Sequence, residues 1–209
     1  VPLRAGDPMY VPLDEGTPVR GGDGRSCIDE LERTLLFSDE SARTCQLFTG
    51  FPGTGKTTEL LLLKERLNQN KLVSTHALLI DFEQYVDRFT AITITDVLRV
   101  LAYGLEREAA EAEAAASGRE IAAETGYLRR LFDFMASTDV ELAKIGFDAY
   151  GASLMLELKD NPTFRQKAET ALSLRFQQFA REASDWMTKA VVRLRKATGA
   201  QRIVVLADG

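Results

Sequence analysis

Gly50-Phe51-Pro52-Gly53-Thr54-Gly55-Lys56-Thr57 stands between a short apolar run, Cys45-Gln46-Leu47-Phe48-Thr49, and a stretch holding Leu60, Leu61, Leu62, Leu63 and Leu67. The first run reads as a strand ending at a glycine. The stretch that follows reads as a helix over about 57–68, so apolar around its circumference that it packs between a sheet and other elements. The turn joining them fits the pattern G-x-x-x-x-G-K-[ST]. Glycines let the backbone take open dihedrals and come close to an anion. Successive N–H groups then converge on one phosphate-sized hollow, and the helix N-terminus adds positive potential. Lys56 neutralises β and γ oxygens, and the Thr57 hydroxyl ligates Mg²⁺. The bare pattern arises by chance in roughly one chain in a hundred of this length, so its place between a strand and a helix carries weight. The expected ligand is Mg-ATP. Gly50, Pro52, Gly53, Thr54, Gly55, Lys56, Thr57 and Thr58 are expected around its phosphates.

Outward from the loop, a second half of the site is expected at the far end of the chain. Arg202-Ile203-Val204-Val205-Leu206-Ala207-Asp208 is apolar until its terminal acid. An acid closing an apolar strand is the Walker B arrangement, in which Asp208 holds Mg²⁺. Leu72 to Phe82 reads as a further strand, continuously apolar at Ala77-Leu78-Leu79-Ile80 as a strand covered on both faces should be. It ends at Asp81, Glu83 and Gln84. In open α/β sheets ligands lie at the carboxyl ends of strands, so Glu83 is a candidate to orient the attacking water. A solvated strand end or a helix cap is the competing reading of Asp81 and Glu83. His76, with no visible partner in the sequence, reads as structural or exposed.

Between these strands the pattern turns helical. Ser26 is a candidate N-cap for a helix over Cys27–Phe37, with Ile28, Leu31 and Leu35 on one face. Thr95 is a candidate cap for a helix with Leu98, Leu101, Ala102 and Leu105 on one face. The Ala/Glu-rich stretch Glu106–Ser117 looks like that helix running out into solvent before Gly118. Tyr127, Leu128, Leu131, Phe132 and Met135 suit an amphipathic helix. Alternating Leu154, Leu156 and Leu158 favour a strand within Phe147–Lys159, in a hairpin turning at Gly151. Asn161 and Pro162 mark a helix start. The apolar positions from Ala168 to Ala197 then predict one helix of about 50 Å, at about 1.5 Å per residue, stopped by Gly199. Lys189, Arg193, Arg195 and Lys196 near its end suit the helix dipole better than nucleic-acid contact, and Trp186 reads as core.

The 209 residues are 45% hydrophobic and 27% charged, enough for a real core. With 31 acidic and 26 basic side chains the net charge is −5, which argues against bulk phosphate-backbone binding. No apolar run approaches the about 18 residues of a membrane span, and Val1-Pro2-Leu3-Arg4 lacks a secretory layout. Two cysteines and one histidine do not make the usual four-ligand metal site or a disulfide framework. A cytoplasmic setting is expected. Pro2, Pro8, Pro12, Pro18 and Gly21-Gly22 make residues 1–24 an extended arm.

The run Gln46 to Leu60 resembles a group of bacterial P-loop ATPases related to the AAA+ and STAND proteins. Asp7-Pro8-Met9-Tyr10-Val11-Pro12-Leu13 is similar to their N-terminal arm. Gly24-Arg25 with Leu31-Glu32-Arg33-Thr34 is similar to the helix before their first strand, and Leu156–Lys167 to a helical insertion before Walker B. The resemblance implies an α/β P-loop NTPase core with a mostly parallel sheet and a large helical insertion. It also implies ATP-driven switching within a larger bacterial protein, and it admits self-association or a protein partner. The divisions expected are an arm at 1–24, the first part of the core at 25–117, the insertion at 118–199 and the Walker B strand at 200–209, with the core continuing beyond. Tyr10, Val11 or Pro12 line the base pocket in this reading. A hydrolytic glutamate commonly follows the Walker B acid, and here Gly209 does. The resemblance further implies that another strand separates Cys45–Thr49 from Ile203–Ala207 by roughly 10 Å, two inter-strand spacings. A small-molecule or nucleotide kinase is the alternative that would pair those two strands directly. A nucleotide-dependent interaction module without turnover is a third reading.

Overall fold

A computed structural model describes residues 27–38, 45–49, 53–87, 89–118, 123–147 and 153–209. They divide into two compact units. One comprises the described residues up to Leu79 together with Ala200–Asp208; the other comprises Ile80–Gly199.

In the first unit, α1 (Cys27–Phe37) and α2 (Lys56–Gln69) cover a sheet of two parallel strands, β1 (Thr75–Asp81, whose last two residues belong to the second unit) and β2 (Arg202–Asp208). The strands begin together, since Gln201 N and Arg202 N both donate to Ser74 O. The core joins Ile28 and Leu36 of α1, Leu60, Leu63 and Leu67 of α2, Ala77 of β1, and Val204 and Leu206 of β2. Asn68 ties the end of α2 to β1: its Oδ1 accepts from Ala77 N at 2.7 Å, and its Nδ2 donates to Ala77 O at 3.1 Å. Arg202 ties β2 to the end of α1, donating to Leu35 O, to Ser38 O and to Ser38 Oγ.

Two strand expectations change. Cys45–Thr49 forms no ladder among the described residues: Leu47 is 88% exposed, while Phe48 packs against the core. Apolar residues make a strand only where a neighbour exchanges backbone hydrogen bonds with them, and this segment has no such neighbour here. β1 begins at Thr75 rather than Leu72, because Asn70 Oδ1 accepts from Leu72 N and Val73 N and holds those residues in a turn.

The second unit is helical: α3 (Ile94–Ser117), α4 (Ala123–Ala136), α5 (Val140–Ile145), α6 (Leu154–Asp160), α7 (Pro162–Leu174) and α8 (Phe176–Thr198). α3 packs most extensively against α8. Tyr85, Tyr103, Tyr127, Trp186, Phe179 and Phe134 form a chain of ring contacts through the core. No described helix is long and apolar enough to cross a membrane.

Four helical expectations are corrected. The cap of α3 is Thr93, not Thr95; Thr93 and Asp96 form a reciprocal capping box. The Ala/Glu stretch runs into solvent only at its end, over Ala115–Gly118, whereas Glu106, Ala109 and Ala110 are buried. Glu106 accepts from Arg130 and Arg193, and Arg193 also grips Glu113. Residues 154–160 are helix, not strand: Leu154 and Leu158 share a buried face one turn apart, while Leu156 is 59% exposed. The long helix is two, broken at Arg175. There the guanidinium stacks 5.4 Å from the Phe134 ring and bonds Ser137 Oγ at 2.8 Å, fixing the break onto the end of α4.

Candidate phosphate-binding site

The loop is described from Gly53 onward. Gly53 has φ 78° and Gly55 φ 80°, both left-handed. A Cβ at Gly53 would meet nothing within 4 Å, so backbone conformation rather than space requires glycine there. α2 starts immediately, with Lys56 at its first position and Glu59 N donating to Gly55 O at 3.0 Å. Helical geometry leaves the first N–H groups without intrahelical acceptors, and Gly55 brings no side chain to cap them. Lys56, Thr57 and Thr58 are half-buried, and Glu59 is buried in the first turn. Glycine dihedrals, an uncapped helix start, an ammonium and a hydroxyl are together the donor set that a phosphate chain with a divalent cation takes.

Asp208, half-buried, closes β2. α2 ends where both strands begin, through Asn68 and Ala77. α2 and β2 share one core, in which Leu60, Leu63 and Leu67 join Val204 and Leu206. Thr57 and Asp208 are carried by two packed elements of one unit. Among the described residues no group of three or more His, Cys, Asp or Glu side chains forms a ready cation cage. A Mg²⁺ held by Thr57 and Asp208 would draw its other ligands from phosphate and water.

Glu83 lies in the second unit, on the 3₁₀ turn Phe82–Gln84 after β1. The Asp81 carboxylate accepts from Glu83 N at 2.9 Å and Gln84 Nε2 at 3.2 Å, so Asp81 is a turn cap. The Glu83 side chain is exposed, and its carbonyl accepts from Lys159 Nζ at 2.8 Å. Tyr10, Val11, Pro12, Gly50 and Pro52, expected in the site, lie outside the described residues. Sequence reasoning passed over Asn68, Arg202 and Lys159. Their partners are mostly main-chain groups, both the N–H and the C=O of Ala77 in Asn68's case, and these leave no residue-type signal.

Searches against family models, curated proteins and solved structures returned no match to this chain.

Proposed function

We propose that this chain binds Mg-ATP through the loop Gly50–Thr58 and works as a nucleotide-dependent switch whose own ATP hydrolysis is very slow or absent. The observation that carries the reading is the left-handed backbone at Gly53 and Gly55 running directly into a helix headed by Lys56 and Thr57. Such a backbone turns amide hydrogens toward an anion. Lys56 would meet the β and γ phosphates, and Thr57 with Asp208 would hold the cation, which neutralises charge developing on those oxygens. Glu83 is the nominee for orienting water. The bacterial ATPase group resembled by Gln46–Leu60, a cytoplasmic setting and a small nucleotide rather than nucleic acid as ligand all belong to this reading. The kinase alternative calls for a ladder between Cys45–Thr49 and Ile203–Ala207, and the described sheet supplies no support for one.

Isothermal calorimetry of Mg-ATP with the wild-type chain and Lys56→Ala tests the proposal. Binding at micromolar strength or better is expected for the wild type. Losing one charge-assisted contact of about 1.5–3 kcal/mol weakens it by about 10- to 150-fold. Equal affinity for the two proteins would refute the site.

A further inference from the structure

The chain leaving β1 is held by the helical unit at three successive points, each by a cationic side chain from a different helix. Lys159 of α6 donates to Glu83 O at 2.8 Å. Arg107 of α3 donates to Tyr85 Oη at 2.5 Å and lies 6.0 Å from that ring. Arg165 of α7 donates to Thr90 Oγ1 at 2.6 Å and to Ala91 O at 3.4 Å. Between these points the segment braces itself. Asp81 caps Glu83 and Gln84, and Tyr85 N and Val86 N both donate to Phe82 O. Asp87 accepts from Phe89 N and from the Thr90 hydroxyl. A surface loop ordinarily opens at small free-energy cost; this one is tied down by residues 22, 75 and 76 positions away in sequence.

β1 itself changes unit along its length: Thr75–Leu79 belong to the first unit, Ile80 and Asp81 to the second. The strand thus runs covalently from the unit that carries Gly53–Thr58 into the clamped segment. We propose that the segment after β1, at Asp81–Asp87 and Phe89–Ala91, relays nucleotide occupancy to the helical unit, with Lys159 as the positioning residue that holds the Glu83 turn. This inference rests on the Mg-ATP reading. It adds that the helical unit senses occupancy through backbone carbonyls rather than through the nucleotide itself. Lys159 suits the task because its ammonium holds a main-chain oxygen. It fixes the turn while leaving the Glu83 carboxylate, the nominated water-orienting group, exposed to solvent.

Amide hydrogen exchange over residues 82–91 tests the relay in the full chain, with and without Mg²⁺ and a non-hydrolysable ATP analogue. Wild type, Lys159→Met, Lys159→Arg and Lys56→Ala are compared, and calorimetry measures analogue affinity for each. In the wild type the analogue is expected to slow exchange at Glu83, Tyr85 and Val86. Lys159→Met raises unliganded exchange at those amides about fivefold, the loss of one partly exposed bond. It also abolishes the response to analogue, with affinity unchanged; Lys159→Arg restores both. Lys56→Ala loses affinity and response together. A full response in Lys159→Met, or none in wild type that binds the analogue, overturns the relay while leaving the binding site standing. If calorimetry shows no binding to wild type, the Mg-ATP reading fails and the relay falls with it.

Discussion

At the scale of single residues, the most heavily constrained group is the Asp96 carboxylate, 5% exposed at the start of α3. Burial pushes its pKa up. The Arg99 guanidinium at 2.7 Å and the hydrogen bonds from Thr93 outweigh that, so the carboxyl titrates below its usual range. Arg165, at 3.0 Å, adds a second cation. A folded-state pKa below the unfolded one gives stability that is complete above the unfolded value, near pH 4, and is lost as pH falls through the folded value. Thermal melts of the wild type are therefore expected to hold a plateau at neutral pH and decline below about pH 4. Asp96→Asn leaves two buried guanidinium groups short of a countercharge, and breaking such a buried pair costs about 3–5 kcal/mol. An Asp96→Asn melting point within a degree of wild type at pH 7 would contradict this. Turnover is a second matter of one residue. Gly209 follows Asp208 where the resembled ATPases commonly carry a glutamate, so phosphate release without acceptor is expected to be very slow or absent. Robust release that disappears in Glu83→Gln would show that the turn after β1 carries the catalysis instead.

At the scale of elements, legibility followed the range of the signal. The start of α7 at Asn161-Pro162 and the end of α8 at Gly199 were readable, because caps and stop residues act within a turn; α1 was readable from its apolar spacing, its expected cap Ser26 lying outside the described residues. The break at Arg175 was not. No proline or glycine marks it; Phe176 continues the apolar spacing of the sequence yet is exposed, and Arg175 at the break contacts Phe134, 41 residues earlier, which no local pattern announces. α6 misled for a different reason: Leu154, Leu156 and Leu158 satisfy a period of two, while two of them also satisfy the spacing of a helical turn. The turn and helix start at Gly53–Thr58 were legible because the motif is local, whereas the tether from Asn68 to Ala77 depends on the main-chain N–H and C=O of one residue, which leave no residue-type signal. One glycine inside an element gives a direct test of packing. A Cβ on Gly104 of α3 would stand 2.5 Å from Ile80 Cδ1 and 2.8 Å from Cγ1. Overpacking costs about 1–3 kcal/mol against a helix-propensity gain of about 1 kcal/mol. Gly104→Ala is thus expected to lower the chemical denaturation midpoint. A raised midpoint would mean that Ile80 repacks freely and the close approach of α3 to β1 is not a constraint.

At the scale of the whole molecule, two kinds of construction share one chain. A two-stranded parallel sheet with α1 and α2 carries Gly53–Thr58 and Asp208, and a helical unit holds the segment that β1 feeds into. Main-chain amides of the loop are expected to bind the phosphates of a nucleotide. Amide chemical-shift mapping with ¹⁵N-labelled protein reads those groups one by one. Titration with Mg-ATP, inorganic tripolyphosphate with Mg²⁺, and adenosine separates phosphate recognition from base recognition. The expected result is that Mg-ATP and tripolyphosphate shift the amides of Gly53, Thr54, Gly55, Lys56, Thr57 and Thr58 more than any others, that adenosine leaves them in place, and that Lys56→Ala suppresses the response. Phosphate-independent shifts, or shifts centred away from this loop, would contradict the account.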